Sequence, residues 1–460
     1  MQLFLTFLAY SLFVAFYSWY KLRKEKLTSQ EGYFLGGRSL TGVVIAGSML
    51  LTNISTEHLI GMNGSSYKNG FIIIAWEVTS ALALIFTAIY FVPKYLKMGL
   101  ITIPQFLENR FDGFTRSLVA FFLMISFVVT LLPIVLYTGA INLESIFNIS
   151  GLMQLDQDRA MKYSIWFIGV LGSLYAIFGG LKAVAVSDTL NGYGLLIGGM
   201  SIPFLALLGI GDGDPIKGLR IVYNNSPEKF NVIGSRDSVM PFEVLFTGLI
   251  VNQIYFWCMN QMIIQRALGA KNLKEAQKGL LFTGLLKIIV PLIIILPGVI
   301  AFYYYGDEFY DNQDMIYPKL IKKVLPASFV GVFAAIIIGA VLSTFNSVLN
   351  SAATIFSIDI FKRHINSEIS EIRLVRIGKI TSTLLAFFAI GVSPFVGNAP
   401  DGLYQLLQQL NGIFFIPVAS IMLAGFFLPK ISATAAKVSL FVGLAFYISC
   451  TFMLNVELHF

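Results

Sequence analysis

Six polar residues stand together in the middle of an otherwise apolar stretch. Residues 43–62 read VVIAGSMLLTNISTEHLIGM, with Thr52, Asn53, Ser55, Thr56, Glu57 and His58 at the centre. Each of these side chains is costly in hydrocarbon, an ionised Glu57 most of all. The pattern fits a helix that is interrupted and lines a protein-enclosed cavity. In a chain of many spans it marks a site for a solute and an ion near the membrane midplane, which points to transport.

Further polar groups recur in apolar surroundings. Glu77 and Ser80 in AWEVTSA share one helix face. The stretch NQIYFWCMNQMIIQR (252–266) brings Asn252, Gln253, Tyr255, Trp257, Asn260 and Gln261. Lys287 lies inside LLKIIVPLIIILPG, and Gln405, Gln408, Gln409 and Asn411 follow later. Carboxylates and amide oxygens accept from hydroxyls, while lysine and amide N–H groups donate to them. A neutral polyhydroxylated solute needs that mixture, and Tyr or Trp rings can stack on its apolar face. The competing explanation for the amides is that they glue helices together. It is weaker for Glu57, Glu77 and Lys287, because charges at membrane depth seldom serve only as glue.

In AAIIIGAVLSTFNSVLNSAATIF (334–356), Ser343 and Thr344 are adjacent hydroxyls with Ala340 one turn earlier. Sodium wants hard oxygen ligands. An unwound 51–54 stretch would free the carbonyls of Leu51 and Ile54, and the Ala340 carbonyl with the two hydroxyls would complete a shell. Hydroxyls in spans also bond back to their own helix. Asp188, in GGLKAVAVSDTLNGYG (179–194), either attracts a leaving cation or, with Ser187, caps a helix start.

These residues need spans to position them. The chain has 460 residues, 56% hydrophobic and 12% charged, where a soluble domain carries about 25% charge. Apolar runs of about 20 residues recur throughout, so the chain reads as an all-α polytopic membrane protein. Spans are expected at 2–20, 41–63, 70–93, 117–142, 162–180, 183–210, 240–263, 277–305, 327–360, 375–397, 401–427 and 433–455. The first run has its charges, KLRKEK, after it rather than before it, so it reads as a retained span and not a signal peptide. With 21–40 inside, most of the 32 basic residues fall in inside loops, among them Lys21, Arg38, Arg110, Arg266, Lys271 and Arg363. That puts the N-terminus outside and makes the +7 net charge a topology signal, not a nucleic-acid one. The chain stops soon after its last run, so further spans are possible beyond it. Cys258 and Cys450 lie in apolar runs and read as small core residues. No nucleotide-binding, zinc or nucleophile motif stands in a credible context. That argues against an enzyme and leaves an ion gradient or the solute's own gradient as the energy source.

Counting the second span as span 1, the break at 52–58 and the amide-rich 252–266 stretch lie five spans apart. Two interrupted helices in matching positions are the sequence mark of inverted repeats. The expected organisation is an extra span and basic loop (1–40), a first repeat (41–210), an outer loop (211–239), a second repeat (240–427) and a peripheral C-terminal span (428–460).

Six stretches resemble the solute:sodium symporter family, which includes the sodium/glucose cotransporters, and are most similar to its bacterial sodium/galactose symporters. They are YFLGGRSL (33–40), NISTEHLIGMNGSSY (53–67), YAIFGGLKAV (175–184) with Asp188, NQMIIQRALGAKNLKEAQKG (260–279), LKIIVP (286–291) and LNSAATIFSIDIFK (349–362). They keep their order along nearly the whole chain. The resemblance implies a leucine-transporter-type fold, with two five-helix inverted repeats plus flanking spans. It also implies sodium-coupled import of a sugar-like solute by alternating access, in a bacterial inner membrane. By motif position it places sodium at Leu51, Ile54, Ala340, Ser343 and Thr344, with Asp188 nearby. The solute falls to Glu77, Ser80, Lys287 and Gln408, with Asn53, His58 and Gln253. The outer gate falls to Met62, Trp76 and Tyr404, and the inner gate to Asn53 with Tyr255 and Phe256. This chain departs from the sugar branch at His58 (Gln there), Gln253 (Asn there) and Phe256 (Tyr there). The alternatives are another cargo, such as an amino acid or sialate, and a channel or sensor. A carboxylate cargo would call for a pocket arginine, and span 3 contains none.

Overall fold

The computed structural model describes residues 2–23, 27–55, 57–397 and 403–454, with the side chains at 57, 403–408 and 452 outside that description. Among the described residues the chain is helical, with one isolated bridge, Leu40 to Ala270, and no strand. The principal helices are α1 (Gln2–Leu22), α2 (Gly42–Asn53), α3 (Asn63–Asn69), α4 (Ile74–Phe86), α5 (Gly113–Phe147), α6 (Gln157–Ile210) and α7 (Gly248–Ile254). They continue with α8 (Gln261–Leu268), α9 (Leu273–Tyr305), α10 (Ala327–Ile355), α11 (Glu371–Val392), α12 (Leu403–Phe427) and α13 (Ala433–Ile448). Side chains such as Leu12, Phe16 and Trp19 on α1 face outward, as a lipid-facing helix requires.

Among the described residues, ten helical runs are long and apolar enough to cross a membrane. The sequence predicts twelve spans, and the difference has a physical cause. A straight α6 of 54 residues would be about 80 Å long, against a hydrocarbon core of about 30 Å. It turns instead at Gly180 (φ 58°, ψ −164°). A Cβ there would lie 2.6 Å from the Tyr33 carbonyl oxygen, so only glycine fits. The run His58–Lys97 likewise turns at Gly70 (φ 76°), the C-cap of α3. Its first part completes the crossing that α2 begins. With both turns counted, the described residues form twelve such runs, the number the sequence leads one to expect.

Two crossings are interrupted. α2 stops at Asn53, where the Ile54 N–H returns to Leu50 O (2.8 Å) and the Ser55 N–H to Asn53 O (3.0 Å). A run of Thr, Asn and Ser side chains competes for backbone groups and favours such a stop. The chain resumes in a wide turn, Glu57–Met62, before α3. In the second, α7 passes through a wide turn, Tyr255–Met259, to Asn260, whose backbone is extended (φ −71°, ψ 121°) and caps α8.

Segment 29–40 straps these helices together on the side of the basic loops. Tyr33 and Phe34 are fully buried. The Tyr33 hydroxyl donates to Ala176 O (3.1 Å), and the Gln265 amide donates to Phe34 O (2.8 Å). Leu40 exchanges backbone bonds with Gly269 and Lys271. On the same side, beyond α10, fully buried Asp359 accepts from Arg116 (2.6 Å) and Thr102 (2.9 Å). Arg116 reaches on to Glu108 (2.5 Å), which also pairs with Arg363. Asp359→Ala leaves Arg116 with Glu108 alone and is expected to cost about 2–3 kcal/mol. Asp158→Ala, which breaks only the exposed pair with Lys162, is expected to cost under about 1 kcal/mol. Thermal unfolding in detergent checks this, and equal losses would show that the Arg116 network bears no special load.

Candidate functional site

The two helix breaks open onto one cavity, walled by residues of α2, α4, α7, α9 and α12. Its charged centre is a lysine. Lys287 on α9 is 1% exposed, pairs with Glu77 on α4 and donates to Asn53 Oδ1 at the end of α2 (2.5 Å). Its ammonium lies 5.6 Å from the centre of the Trp257 ring. Three separate crossings therefore meet at one ammonium group. Buried charges persist only with such pairing, since an unpaired one costs several kcal/mol. Ser80 stands one turn after Glu77 on the same wall and donates to the Glu77 carbonyl. His58 and Trp76 also line the cavity.

Gln253 is placed differently from a free contact residue. Its amide nitrogen donates to Trp76 O (2.7 Å), and its oxygen accepts from the Trp257 ring N–H (3.0 Å). One bond from each end of the side chain goes to positioning the walls. Of the two aromatic residues at 255 and 256, Phe256 lines the cavity. Tyr255 instead stacks on Phe415 at 4.2 Å. Met62 ends the wide turn before α3 and is wholly buried. Tyr404 and Gln408 lie on α12 with side chains outside the described ones, as does the side chain of Glu57.

The cavity extends to Thr52 and Thr344. The Thr344 hydroxyl on α10 donates to Thr52 O (3.0 Å), and Thr52 Oγ1 lies 3.4 Å from Ser343 Oγ and 3.1 Å from Ser347 Oγ. The structure thus brings Ser343 and Thr344 against the frayed end of α2, where Leu51 and Ile54 are fully buried. Ala340 sits one turn earlier on α10, also buried. The chemistry of this corner is neutral hard oxygen, which suits sodium and not a softer metal. Among the described residues no cluster of His, Cys, Asp and Glu could hold a different metal.

The sequence profile of the Sodium:solute symporter family matches residues 33–443. The chain belongs to that family. This symporter is 45% identical to the uncharacterized symporter YidK of Escherichia coli, over 99% of its own length and 80% of that protein's. It is 32% identical to the sodium/glucose cotransporter of Vibrio parahaemolyticus, over 94% of this chain and 81% of that one. It is 28% identical to the human sodium/myo-inositol cotransporter, over 91% of this chain and 62% of that one. In shape it matches a sodium-coupled sialic acid symporter in a substrate-bound, outward-open state, with a TM-score of 0.82 at 20% identity. That match covers 98% of this chain and 92% of the other, and it establishes the fold. The symporter is a multi-pass membrane protein that couples sodium to the movement of a solute and is not an enzyme.

Two sequence expectations need correction in the symporter's structure. Arg266, counted above as an inside-loop charge, is wholly buried at the end of α8. It donates to Ser48 (2.6 Å), pairs with Asp188 (3.3 Å) and bonds to Ser347 and the Met262 carbonyl. Asp188 does not cap a helix start, because α6 runs on continuously from its turn at Gly180. It is 1% exposed and also accepts from Ser48 (2.7 Å). The missed signal was collinearity: Arg266 follows the break at Asn260 by less than two turns, too close to have left the core. Arg266→Met alone and Asp188→Asn alone are each expected to destabilise the protein strongly. The double variant should recover most of the loss, because each single change strands a buried charge. Melting temperatures of the four proteins in detergent check it, and additive losses would contradict the pairing.

Proposed function

We propose that this symporter imports a neutral, hydroxyl-rich solute of the sugar or cyclitol kind together with sodium, across a bacterial inner membrane with its N-terminus outside. The observation that carries the cargo reading is the Lys287–Glu77–Asn53 cluster in the cavity wall. The lysine is already neutralised by a carboxylate, and the buried guanidinium of Arg266 is committed to Asp188, Ser48 and Ser347. An anionic cargo would need an unspent cation, whereas hydroxyls can donate to Glu77 and accept from Lys287 without upsetting the balance. The names of the glucose and myo-inositol cotransporters that resemble this chain point the same way. The orientation rests on the bias of lysine and arginine among the loops.

In this reading sodium binds the carbonyls of Leu51, Ile54 and Ala340 and the hydroxyls of Ser343 and Thr344. Ser80, His58 and Gln408 join the charged cluster around the solute, and Gln253 holds the walls. Asp188 receives sodium on its way out. Met62, Trp76 and Tyr404 close the outer side, and Asn53 with Tyr255 and Phe256 close the inner side. Sodium would order the broken end of α2, and that same end carries Asn53 into the solute cavity. A helix shared by both sites makes each ligand raise the affinity for the other, by reciprocity.

The deciding experiment is uptake into proteoliposomes under an inward sodium gradient, against labelled glucose, galactose, myo-inositol, amino acids and sialate. Accumulation of a neutral polyol above its equilibrium level is the expected result, and accumulation of sialate alone would replace the cargo reading. Thr344→Ala is expected to raise the sodium concentration for half-maximal uptake by tenfold or more, with the order of solute preference unchanged. Lys287→Ala and Glu77→Ala should each abolish solute binding while sodium still protects the protein against thermal unfolding. Retained solute binding in either would remove the cluster from the site.

A further inference from the structure

Among the described residues, two amides in the cavity wall each bury a polar atom that the arrangement described so far leaves unspent. Asn260 is fully buried at the break between α7 and α8. Its Oδ1 accepts the Met262 N–H at 2.9 Å, which fixes which end of the amide is which. Its Nδ2 has no partner among the described residues. Asn411 on α12 is 7% exposed, and its buried Oδ1 likewise has no partner among them. Both residues line the cavity that holds Lys287. Neighbouring polar groups are already engaged: Lys287 with Glu77 and Asn53, Gln253 with Trp76 and Trp257, Thr344 with Thr52. Buried polar atoms are rarely left unmet in a native protein. Here one is a donor and the other an acceptor, and both border the same space.

We propose that Asn260 Nδ2 and Asn411 Oδ1 are direct contacts of the solute and set which polyol is carried. Asn260 donates to one oxygen of the solute, and Asn411 accepts from a hydroxyl elsewhere on it. The assignment rests on the reading of the cargo as a hydroxyl-bearing solute. A hydroxyl both donates and accepts, so a polyol can meet both amides. A carboxylate group by itself brings no donor for Asn411, which needs a hydroxyl or N–H. A site that leaves a buried polar group unmet discriminates against the wrong ligand far more strongly than an apolar wall does. The position of Asn260 adds a consequence for transport, because solute bound there draws the start of α8 toward α12.

The test uses the whole protein in proteoliposomes. Asn260→Ser and Asn260→Asp both keep an acceptor for the Met262 N–H, so α8 stays capped, while the amide donor is removed. Asn411→Leu removes the acceptor. Uptake is measured for whichever of glucose, galactose and myo-inositol the wild type accumulates, and for its single-deoxy analogues. Each variant is expected to raise the apparent KM by about tenfold or more, the size expected for one lost buried hydrogen bond. Sodium half-saturation should move by less than about twofold. For each amide, one deoxy analogue should be penalised in the wild type and not further penalised in the variant, which pairs that hydroxyl with that amide. If every analogue suffers the same factor in variant and wild type, water and not solute meets the amides, and the assignment is wrong. Wild-type KM in the variants would overturn it equally. If the wild type accumulates none of the three polyols, the cargo reading fails and this assignment falls with it.

Discussion

A charge buried in an apolar slab must be answered by another charge, and the architecture of this symporter follows from that rule. Two such pairs occupy its middle. Lys287 and Glu77 join α9 to α4 and, through Asn53, to the broken end of α2. Arg266 and Asp188 join α8 to α6 and, through Ser48 and Ser347, to α2 and α10. Neither pair is expected to add much net stability over a well-packed apolar substitute. What they add is specificity of arrangement, because either pair made wrongly leaves a charge stranded. α2 takes part in both, through Ser48 and Asn53, and its interruption at Ile54 follows directly on the second of these anchors.

That position fits the proposal that one stretch serves both ligands. Thr52 turns its hydroxyl and carbonyl toward Ser343, Ser347 and Thr344, while Asn53, the next residue, reaches Lys287. In a continuous helix those carbonyls would be bound to amides one turn on. The stop at Asn53 releases backbone oxygen at a place where side-chain hydroxyls from α10 already cluster.

Much of this was legible in the sequence. Polar residues in apolar runs are conspicuous, so the break at 52–58, Glu77 with Ser80, and Lys287 stood out on composition alone. The spans were legible for the same reason, including the separate crossings that run together at Gly180 and Gly70. What the sequence hid was pairing. Arg266 lies at the end of a run and reads as a loop charge until α8 is seen to be short and wholly enclosed. Asp188 preceded by Ser187 resembles a cap until α6 is seen to pass through it unbroken. Tyr255 and Phe256 are adjacent and chemically alike, and only the wide turn at 255–259 decides which one faces the cavity. Gln253 reads in the sequence as one more polar group at the site, and its bonds to the Trp76 carbonyl and the Trp257 ring could not be read there.

Gln253 therefore acts as a ruler. Its side chain spans the distance between the backbone of α4 at Trp76 and the indole of Trp257, one turn further along its own helix. A shorter amide at this position could not touch both, and one wall would have to move inward to meet it. The length of the Gln253 side chain thus sets the width of the chamber between these two walls. In this site a single methylene can change which molecules fit, with every other residue left as it was.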